Sequence, residues 1–228
     1  MLHYGSGPTS PQPINDSFVE PAGFLTNLIH DLKQTGAPEL LAVFSGILSV
    51  WFSKKENRLV YPVGLLNTLL YIYLSAKGGL FGEATVNLYY TVMGVYGWWC
   101  WSKRKPDQSF ALRISRSSRR ELNFQFAFFT LIFLGMFLLL TFLKNQFAKD
   151  TLPLADSLAS ASAFTGMYLM TKKKIESWYW WIFTNLLSIP LYGVKHYPLT
   201  SIYYLVLLVL AIAGLREWRN RINRATTG

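Results

Sequence analysis

The chain has 228 residues, of which 51% are hydrophobic and 16% aromatic, whereas only 15% are charged. Its apolar residues are gathered into long blocks, which is typical of a polytopic helical membrane protein and not of a soluble domain. The net charge of +10 does not indicate nucleic-acid binding, because most basic residues stand between the apolar blocks. A single cysteine, Cys100, excludes an internal disulfide and a cysteine-rich metal site.

Residues 1–37 form a polar, proline-containing leader before the first block. The leader lacks the charged and then apolar layout of a signal peptide, so we expect no cleavage. Within it, the stretch FVEPAGFLTNLIHDLK has an apolar stripe that predicts a short amphipathic helix on the external membrane surface. A flexible leader fits the same residues.

Seven apolar blocks follow in chain order. Each is close to the roughly 17–25 residues that a helix needs to cross a bilayer. The fourth block is almost purely apolar, whereas several others carry Asn, Ser, Tyr or Gly, which predicts that those line the interior of a bundle. The blocks cover residues 38–53, 58–75, 83–101, 122–143, 154–170, 178–194 and 200–216.

The segments between the blocks differ in basic charge. If they alternate between the two sides of a membrane, most of the 22 Lys and Arg residues fall on one side. Lysine-rich and arginine-rich loops stay in the cytoplasm, which predicts an external N-terminus and a cytoplasmic C-terminus. The same charge favours contact with anionic membrane lipid. The other side holds only Lys33, Lys77, Lys144, Lys149 and Lys195.

An internal repeat relates the first three blocks to the last three. A shift of 120 positions aligns residues 44–46 (Phe-Ser-Gly) with 164–166 (Phe-Thr-Gly), Lys54 with Lys174 and Glu56 with Glu176. Small gaps then align Tyr89-Tyr90 with Tyr203-Tyr204, and Gly97-x-x-x-Trp101 with Gly214-x-x-x-Trp218. The fourth block has no counterpart, and a single helix between two three-helix units gives both units the same orientation.

We therefore predict an all-α integral membrane protein with two parallel three-helix repeats joined by one linker helix, an arrangement of 3+1+3 helices. SWEET transporters have this architecture, with the substrate near the midplane between the repeats. The predicted boundaries are a first repeat over 38–101, a cytoplasmic basic loop and linker helix over 102–153, a second repeat over 154–218 and a cytoplasmic tail over 219–228.

A polar stripe lies in the sixth block. Trp178, Trp181 and Asn185 stand at i, i+3 and i+7, which places two indoles and one amide on one helix face. An amide inside a membrane is costly unless it has a partner, so this stripe predicts a polar, ring-bearing ligand. Tryptophans near a helix end are also common as interfacial belt residues, and that alternative applies to Trp178.

Four stretches of the chain resemble one family of bacterial vitamin transporters, the PnuC nicotinamide riboside transporters. The resemblance covers residues 38–218. It rests on residues 169–178 (LMTKKKIESW), on Trp178-x-x-Trp181-x-x-x-Asn185, on Tyr96-Gly97-Trp98-x-x-Trp101 and on Asp156-Ser157.

The resemblance implies uptake of nicotinamide riboside by facilitated diffusion with alternating access. It also implies a homotrimer in the bacterial inner membrane and trapping of the riboside by a cytoplasmic riboside kinase. A pyridinium riboside suits aromatic faces through cation–π contact and amides through hydrogen bonds. No Lys or Arg lies at the centre of a block, which favours a nucleoside over a nucleotide.

Three further polar residues are candidates for the opposite wall of the substrate site. Asn87 and Tyr90 stand at helical spacing in the third block, and Asn67 lies in the second. Position 87 carries Asn where the family is expected to carry Gln, so an amide is kept with a shorter reach. Asn67 and Asn87 also fit a role as hydrogen-bonding residues between packed helices.

Enzymatic chemistry has no sequence motif here. The chain has no HExxH, no phosphate-binding glycine loop and no nucleophile elbow, so we expect neither an enzyme nor a metal or cofactor site. Two alternatives stay open: transport of another ring-bearing vitamin, thiamine or riboflavin, and a membrane receptor or interaction subunit that does not transport.

Overall fold

The computed structural model describes residues 36–77, 81–106, 110–147, 152–195 and 197–227. In these residues the secondary structure consists of seven α-helices and two isolated β-bridges, without a β-sheet. The predicted amphipathic helix of the leader lies outside the described residues. The helices are α1 (Ala37–Lys54), α2 (Val60–Lys77), α3 (Phe81–Ser102), α4 (Arg119–Phe147), α5 (Pro153–Thr171), α6 (Glu176–Val194) and α7 (Pro198–Thr227).

Each of the seven apolar blocks forms one helix, as the sequence predicts. The largest difference is at α7, which continues past residue 216 to Thr227 and so makes most of the predicted tail helical. Two contacts stabilise this extension: Trp218 is fully buried, and Arg221 pairs with Glu217 one turn earlier at 2.9 Å. By length and composition, Arg119–Phe142 of α4 and Pro198–Ala225 of α7 are each able to cross a membrane.

Six of the helices form a closed ring. Helices α1, α2 and α3 pack in sequence, as do α5, α6 and α7, and the two sets meet where α1 contacts α7 and where α3 contacts α5. We call these the first and the second set. Helix α4 lies outside the ring, where it packs mainly against α5 and also contacts Trp180 of α6. Its outer face is apolar and open, with Leu131 and Leu138 70% and 67% exposed.

One end of the ring carries most of the basic residues, and we call it the basic end. Helices α1, α3 and α5 end there and α2, α4 and α6 begin there. The segment before α4 is fixed at this end by backbone pairing of Ser115 with Lys174, and by the Glu176 carboxylate, which accepts hydrogen bonds from the Ser117 amide (3.0 Å) and hydroxyl (2.8 Å).

A buried apolar cluster fills the ring at the basic end. It combines residues from both sets, so the core belongs to neither set alone. Burial of large apolar side chains contributes on the order of 2 kcal/mol for each of them. The cluster comprises Val60, Tyr61, Trp101, Met170, Ile175, Trp178, Ala211 and Trp218.

Residues at equivalent places in the two sets are 117 positions apart in the sequence. Ser53 and Met170, which are in contact, are separated by this offset, and so are Glu56 and Lys173. Glu56 (φ 57°) and Lys173 (φ 51°) are also the only non-glycine residues with positive φ in the described chain. At this end the two sets therefore follow the offset of 117 that aligns Gly97 with Gly214 and Trp101 with Trp218, and not the offset of 120 predicted for Lys54 and Glu56. A three-residue slip is close to one helical turn and keeps the same helix face, so apolar patterning does not detect it.

Candidate functional site

Trp178 lies in the packed core at the basic end. Its side chain is 1% exposed, and its ring meets that of Trp218 edge to face, with centroids 5.4 Å apart. The indole lies directly against Gly214 of α7, where an added Cβ would overlap the ring. Its Nε1 is buried and has no hydrogen-bond partner within the described residues. These surroundings favour packing as the main role of Trp178.

Trp181 lies one turn further along α6 and is half-buried. Its indole rests on Gly166 of α5, where a Cβ would come within 3.3 Å of the ring. Glycine at position 166 therefore lets α5 and α6 approach with the indole between them. This contact holds the Trp181 ring in a fixed position while part of its surface stays accessible.

Asn185 follows Trp181 by one further turn on the buried side of α6. It is 2% exposed. Its side-chain amide forms no hydrogen bond to the part of the chain that the structure describes, and its polar atoms keep a small exposed area. Leaving a nearly enclosed amide without a hydrogen-bond partner is unfavourable. An amide kept in this position is therefore suited to a ligand or to water.

At the offset of 117, Trp178 has an equivalent aromatic residue in the first set, whereas Trp181 and Asn185 do not. Trp178 corresponds to Tyr61, which packs edge to face on Trp101 (5.2 Å) and lies against Gly97, just as Trp178 packs on Trp218 and lies against Gly214. The aromatic core residue is therefore present in both sets.

Trp181 and Asn185 have no such counterparts. They correspond to Gly64 and Thr68 in the first set. Gly64 faces the Ser49 side chain, and Thr68 accepts a hydrogen bond from the Thr91 hydroxyl at 2.9 Å. The indole and the amide belong to the second set alone, so they are not explained by packing that the two sets share.

Asn67 links helices of the first set. Its amide nitrogen donates to the Ala42 carbonyl of α1 at 2.6 Å, close to Gly46. Glycine at position 46 leaves room for both Asn67 and the Tyr203 hydroxyl of α7. This geometry matches the packing alternative for Asn67, with a hydrogen bond that fixes α1 against α2.

Asn87 and Tyr90 are half-buried on α3. The backbone carbonyl of Asn87 accepts a hydrogen bond from the Thr91 hydroxyl at 2.9 Å. The Tyr90 ring contacts Tyr89 and Phe164, with centroids 5.7 and 5.9 Å away. The Tyr89 ring stacks on Phe164 of α5 with centroids 4.0 Å apart, and its hydroxyl donates a hydrogen bond to the Phe164 backbone carbonyl at 3.0 Å.

Helix α5 connects the two groups of candidate residues. Phe164 contacts the tyrosines of α3, and Gly166, two residues later, contacts Trp181 of α6. The structure therefore places Asn87 and Tyr90 on one neighbour of α5, and Trp181 and Asn185 on its other neighbour.

Comparison with known proteins identifies the family. The family model described as nicotinamide mononucleotide transporter matches residues 37–220, which is most of the chain. The chain belongs to this family.

Three relatives of this family member are transporters by name. The nicotinamide riboside transporter PnuC of Escherichia coli (strain K12) is 23% identical over 202 residues, which cover 80% of this chain and 84% of the relative. The PnuC of Shigella flexneri matches to the same extent. The riboflavin/roseoflavin transporter RibM of Streptomyces davaonensis is 20% identical over 182 residues, covering 78% of this chain and 83% of the relative.

A solved structure has the same fold as this family member. It is described as the crystal structure of the vitamin B3 transporter PnuC and matches with a TM-score of 0.66 at 22% identity, covering 88% of each chain. The family identifies the protein as a multi-pass transporter of the bacterial inner membrane, and its named relatives are transporters and not enzymes.

Several contacts between the helices of this family member are not predictable from its sequence pattern. In the sequence, Phe164 is notable only as part of the repeat. In the structure it stacks on Tyr89, a residue 75 positions away. The hydrogen bond between Thr68 and Thr91 likewise joins two helices. A hydroxyl or phenyl group inside an apolar block was the available signal, but neither specifies its partner.

Proposed function

We propose that this family member takes up nicotinamide riboside by facilitated diffusion with alternating access, and that a cytoplasmic riboside kinase then traps the riboside. The observation that carries the proposal is the pair formed by Trp181 and Asn185. An indole face held on Gly166 suits a pyridinium cation, and the Asn185 amide, which keeps a small exposed area and has no hydrogen-bond partner in the described chain, suits a carboxamide or a ribose hydroxyl. The PnuC relatives carry riboside transport in their names.

A nucleoside fits this chain better than the mononucleotide that the family description names. A phosphate dianion buried within the ring would need a basic partner. The apolar blocks of the six ring helices contain no Lys or Arg except at their ends. The buried ammonium group of Lys173 lies at the basic end and already pairs with Glu56 at 2.7 Å. The riboside, which has no phosphate, needs no such partner.

The six candidate residues take different parts in the proposed site. Trp181 and Asn185 would contact the substrate directly, and Asn87 and Tyr90 would complete the wall on the far side of α5. The contacts of Trp178 and Asn67 support a positioning role, because each packs against neighbouring helices.

We infer that the two sets are parallel repeats joined by α4, in the SWEET-like arrangement of 3+1+3 helices with the boundaries given above. Three observations support this. The neighbours in the ring follow the same order in both sets, and the two residues with positive φ stand 117 positions apart. At the same offset, Glu39 and Asp156 accept hydrogen bonds from backbone amides at the starts of α1 and α5.

We infer that the basic end faces the cytoplasm, so that the N-terminus lies outside and the C-terminus inside. The support is the concentration of Lys and Arg at this end, following the positive-inside rule. The homotrimer and the kinase partner stay predictions from the family resemblance.

Alternating access requires the basic end to open and close. In this structure the two sets are joined there by buried tryptophans and by the pair of Glu56 and Lys173. We infer that this end is closed in the described conformation, and that these contacts separate when substrate passes to that side.

Uptake into vesicles tests the proposed function. Proteoliposomes that contain only this protein, with a riboside kinase and ATP enclosed, should accumulate labelled nicotinamide riboside far beyond vesicles without kinase. Equal accumulation with and without kinase would contradict facilitated diffusion followed by trapping. Binding without flux would favour the receptor alternative.

Competition identifies the substrate. Because RibM is a relative, riboflavin is the second candidate, and thiamine serves as a further ring-bearing vitamin. Unlabelled nicotinamide riboside should reduce labelled uptake at much lower concentration than riboflavin, thiamine or nicotinamide mononucleotide. If riboflavin competes more strongly, the riboside assignment is wrong while the transporter assignment stands.

A further inference from the structure

A basic cleft lies between α4 and α5 at the basic end, outside the proposed substrate site. It has a volume of about 220 Å³ and is lined by three cations, Arg120, Lys172 and Lys174, and by one carboxylate, Glu121. The ammonium group of Lys174 pairs with Glu121 at 2.8 Å, so that these two charges compensate each other.

Two positive charges in the cleft stay uncompensated. Neither Arg120 nor Lys172 forms a salt bridge within the described residues. The Lys172 ammonium lies 5.4 Å from the centroid of the Tyr168 ring, a cation–π contact that leaves its charge available to an anion. The cleft therefore has the charge of an anion site.

The other walls of the same cleft are aromatic. Phe124 of α4 and Tyr168 of α5 face each other with ring centroids 5.6 Å apart, and Phe124 is 51% exposed. The Phe128 ring continues this surface along α4, 5.7 Å from Tyr168. An apolar chain can therefore run from the cleft along the outside of α4 and α5.

The position of the cleft matches the boundary between headgroups and hydrocarbon. The charged turn at Arg119–Glu121 ends where the apolar part of α4 begins, and α4 lies on the outside of the ring, against α5 and the Trp180 side chain of α6. A ligand with a charged group and an apolar chain would fill both parts of the cleft and add contacts between α4 and α5. A soluble phosphate would use only the charged part.

We propose that this cleft binds the phosphodiester group of an anionic phospholipid, with Arg120 and Lys172 on the phosphate and with an acyl chain against Phe124 and Tyr168. Basic pockets between helices on the cytoplasmic side are suited to such headgroups, and each basic residue near the surface contributes about 1 kcal/mol. The site is separate from the proposed transport site, and its test does not depend on transport.

Binding of a fluorescent phosphatidylglycerol to the purified full chain in phosphatidylcholine nanodiscs tests the proposal. The double variant Arg120→Gln/Lys172→Gln should bind this probe about thirtyfold more weakly than the unmodified protein. The matched control is Arg119→Gln/Lys105→Gln, which removes the same charge from exposed positions outside the cleft and should change affinity by less than about threefold. Equal loss in both variants, or no loss in either, would overturn the site. Size-exclusion chromatography verifies that both variants are folded.

A second arm separates a lipid from a soluble phosphate. Inorganic phosphate and glycerol phosphate should displace the fluorescent lipid only at concentrations far above that of the lipid itself, and Phe124→Ala should weaken lipid binding further. Displacement by glycerol phosphate at comparable concentration, with no effect of Phe124→Ala, would overturn the lipid assignment and identify a soluble phosphate ester as the ligand.

Discussion

Trp101 and Trp218 form two equivalent hydrogen bonds, each from one set of helices to the other set. The indole N–H of Trp101 donates to the Met170 carbonyl at 3.2 Å, and that of Trp218 donates to the Ser53 carbonyl at 3.1 Å. The two rings are 6.1 Å apart. Each tryptophan stands near the basic end of the third helix of its set and binds the end of the first helix of the other set. These two hydrogen bonds join the two sets at the basic end, and we call them the reciprocal clasp.

The first prediction concerns this clasp. Trp218→Phe keeps most of the ring but removes one of the two donors to the Ser53 carbonyl, which still accepts a hydrogen bond from the Glu56 amide at 2.9 Å, so we expect it to lower the free energy of unfolding by about 1 kcal/mol. Thermal unfolding in detergent measures the effect. The control is Trp99→Phe, because Trp99 is 57% exposed and lies outside the buried cluster. An equal change in melting temperature for both variants would contradict the reciprocal clasp.

The second prediction concerns the charges beside the clasp. Lys173 is 4% exposed and binds Glu56, which also accepts a hydrogen bond from Arg221 at 3.1 Å. Removing one partner of a buried pair leaves an uncompensated charge, so Glu56→Gln should destabilise by about 3 kcal/mol. Glu56→Gln/Lys173→Met should recover part of this loss.

The exposed pair of Glu217 and Arg221 provides the control for the second prediction. Both side chains are more than a third exposed, so Glu217→Gln should change stability by less than about 0.5 kcal/mol. If Glu56→Gln and Glu217→Gln have the same effect in thermal unfolding, the buried network does not stabilise the basic end.

The third prediction tests whether the basic end opens during transport. The Ser53 hydroxyl lies 3.0 Å from the Met170 sulfur, across the boundary between α1 and α5. In a Cys100→Ser background, Ser53→Cys/Met170→Cys joined by a short crosslinker that attaches through disulfides should abolish riboside uptake, and a reducing agent should restore it by cleaving those disulfides. Each single cysteine variant is the control. Full uptake by the crosslinked protein would contradict opening at this end.

The fourth prediction concerns Trp181 as a substrate contact. Trp181→Ala should weaken riboside binding roughly tenfold or more, because a desolvated cation–π contact contributes about 2 kcal/mol. The adjacent Trp180 provides a matched control, since its indole donates to Gln125 and packs on Phe129 of α4, outside the ring. Calorimetry on the purified variants measures affinity. Retained affinity in folded Trp181→Ala would remove this residue from the site.

The fifth prediction separates Trp178 from Trp181. Because Tyr61 occupies the equivalent place in the first set, Trp178→Tyr should keep riboside affinity within about threefold while lowering the melting temperature through lost packing on Gly214. A loss of affinity comparable to that of Trp181→Ala, in a protein that remains stable, would show that Trp178 contacts the substrate.

The number and type of the helices could be predicted from the sequence because they depend on local properties. Seven apolar blocks of sufficient length form seven helices, and the spacing of Trp178, Trp181 and Asn185 determines that they share one face of α6. The resemblance of residues 169–178 to a transporter family is equally a property of the chain, and the match over residues 37–220 confirms it.

Only the tertiary structure decided what each side chain contacts, since those partners are far away in sequence. It placed Trp178 against Gly214 and Trp218, paired Asn67 with the Ala42 carbonyl, and showed that the ends of α1 and α5 follow the offset of 117 and not that of 120. Helical periodicity repeats every turn, so a sequence pattern identifies a face but not the neighbouring helix or its register. Close packing of rings on glycines and pairing of buried polar groups select one register among those that periodicity allows.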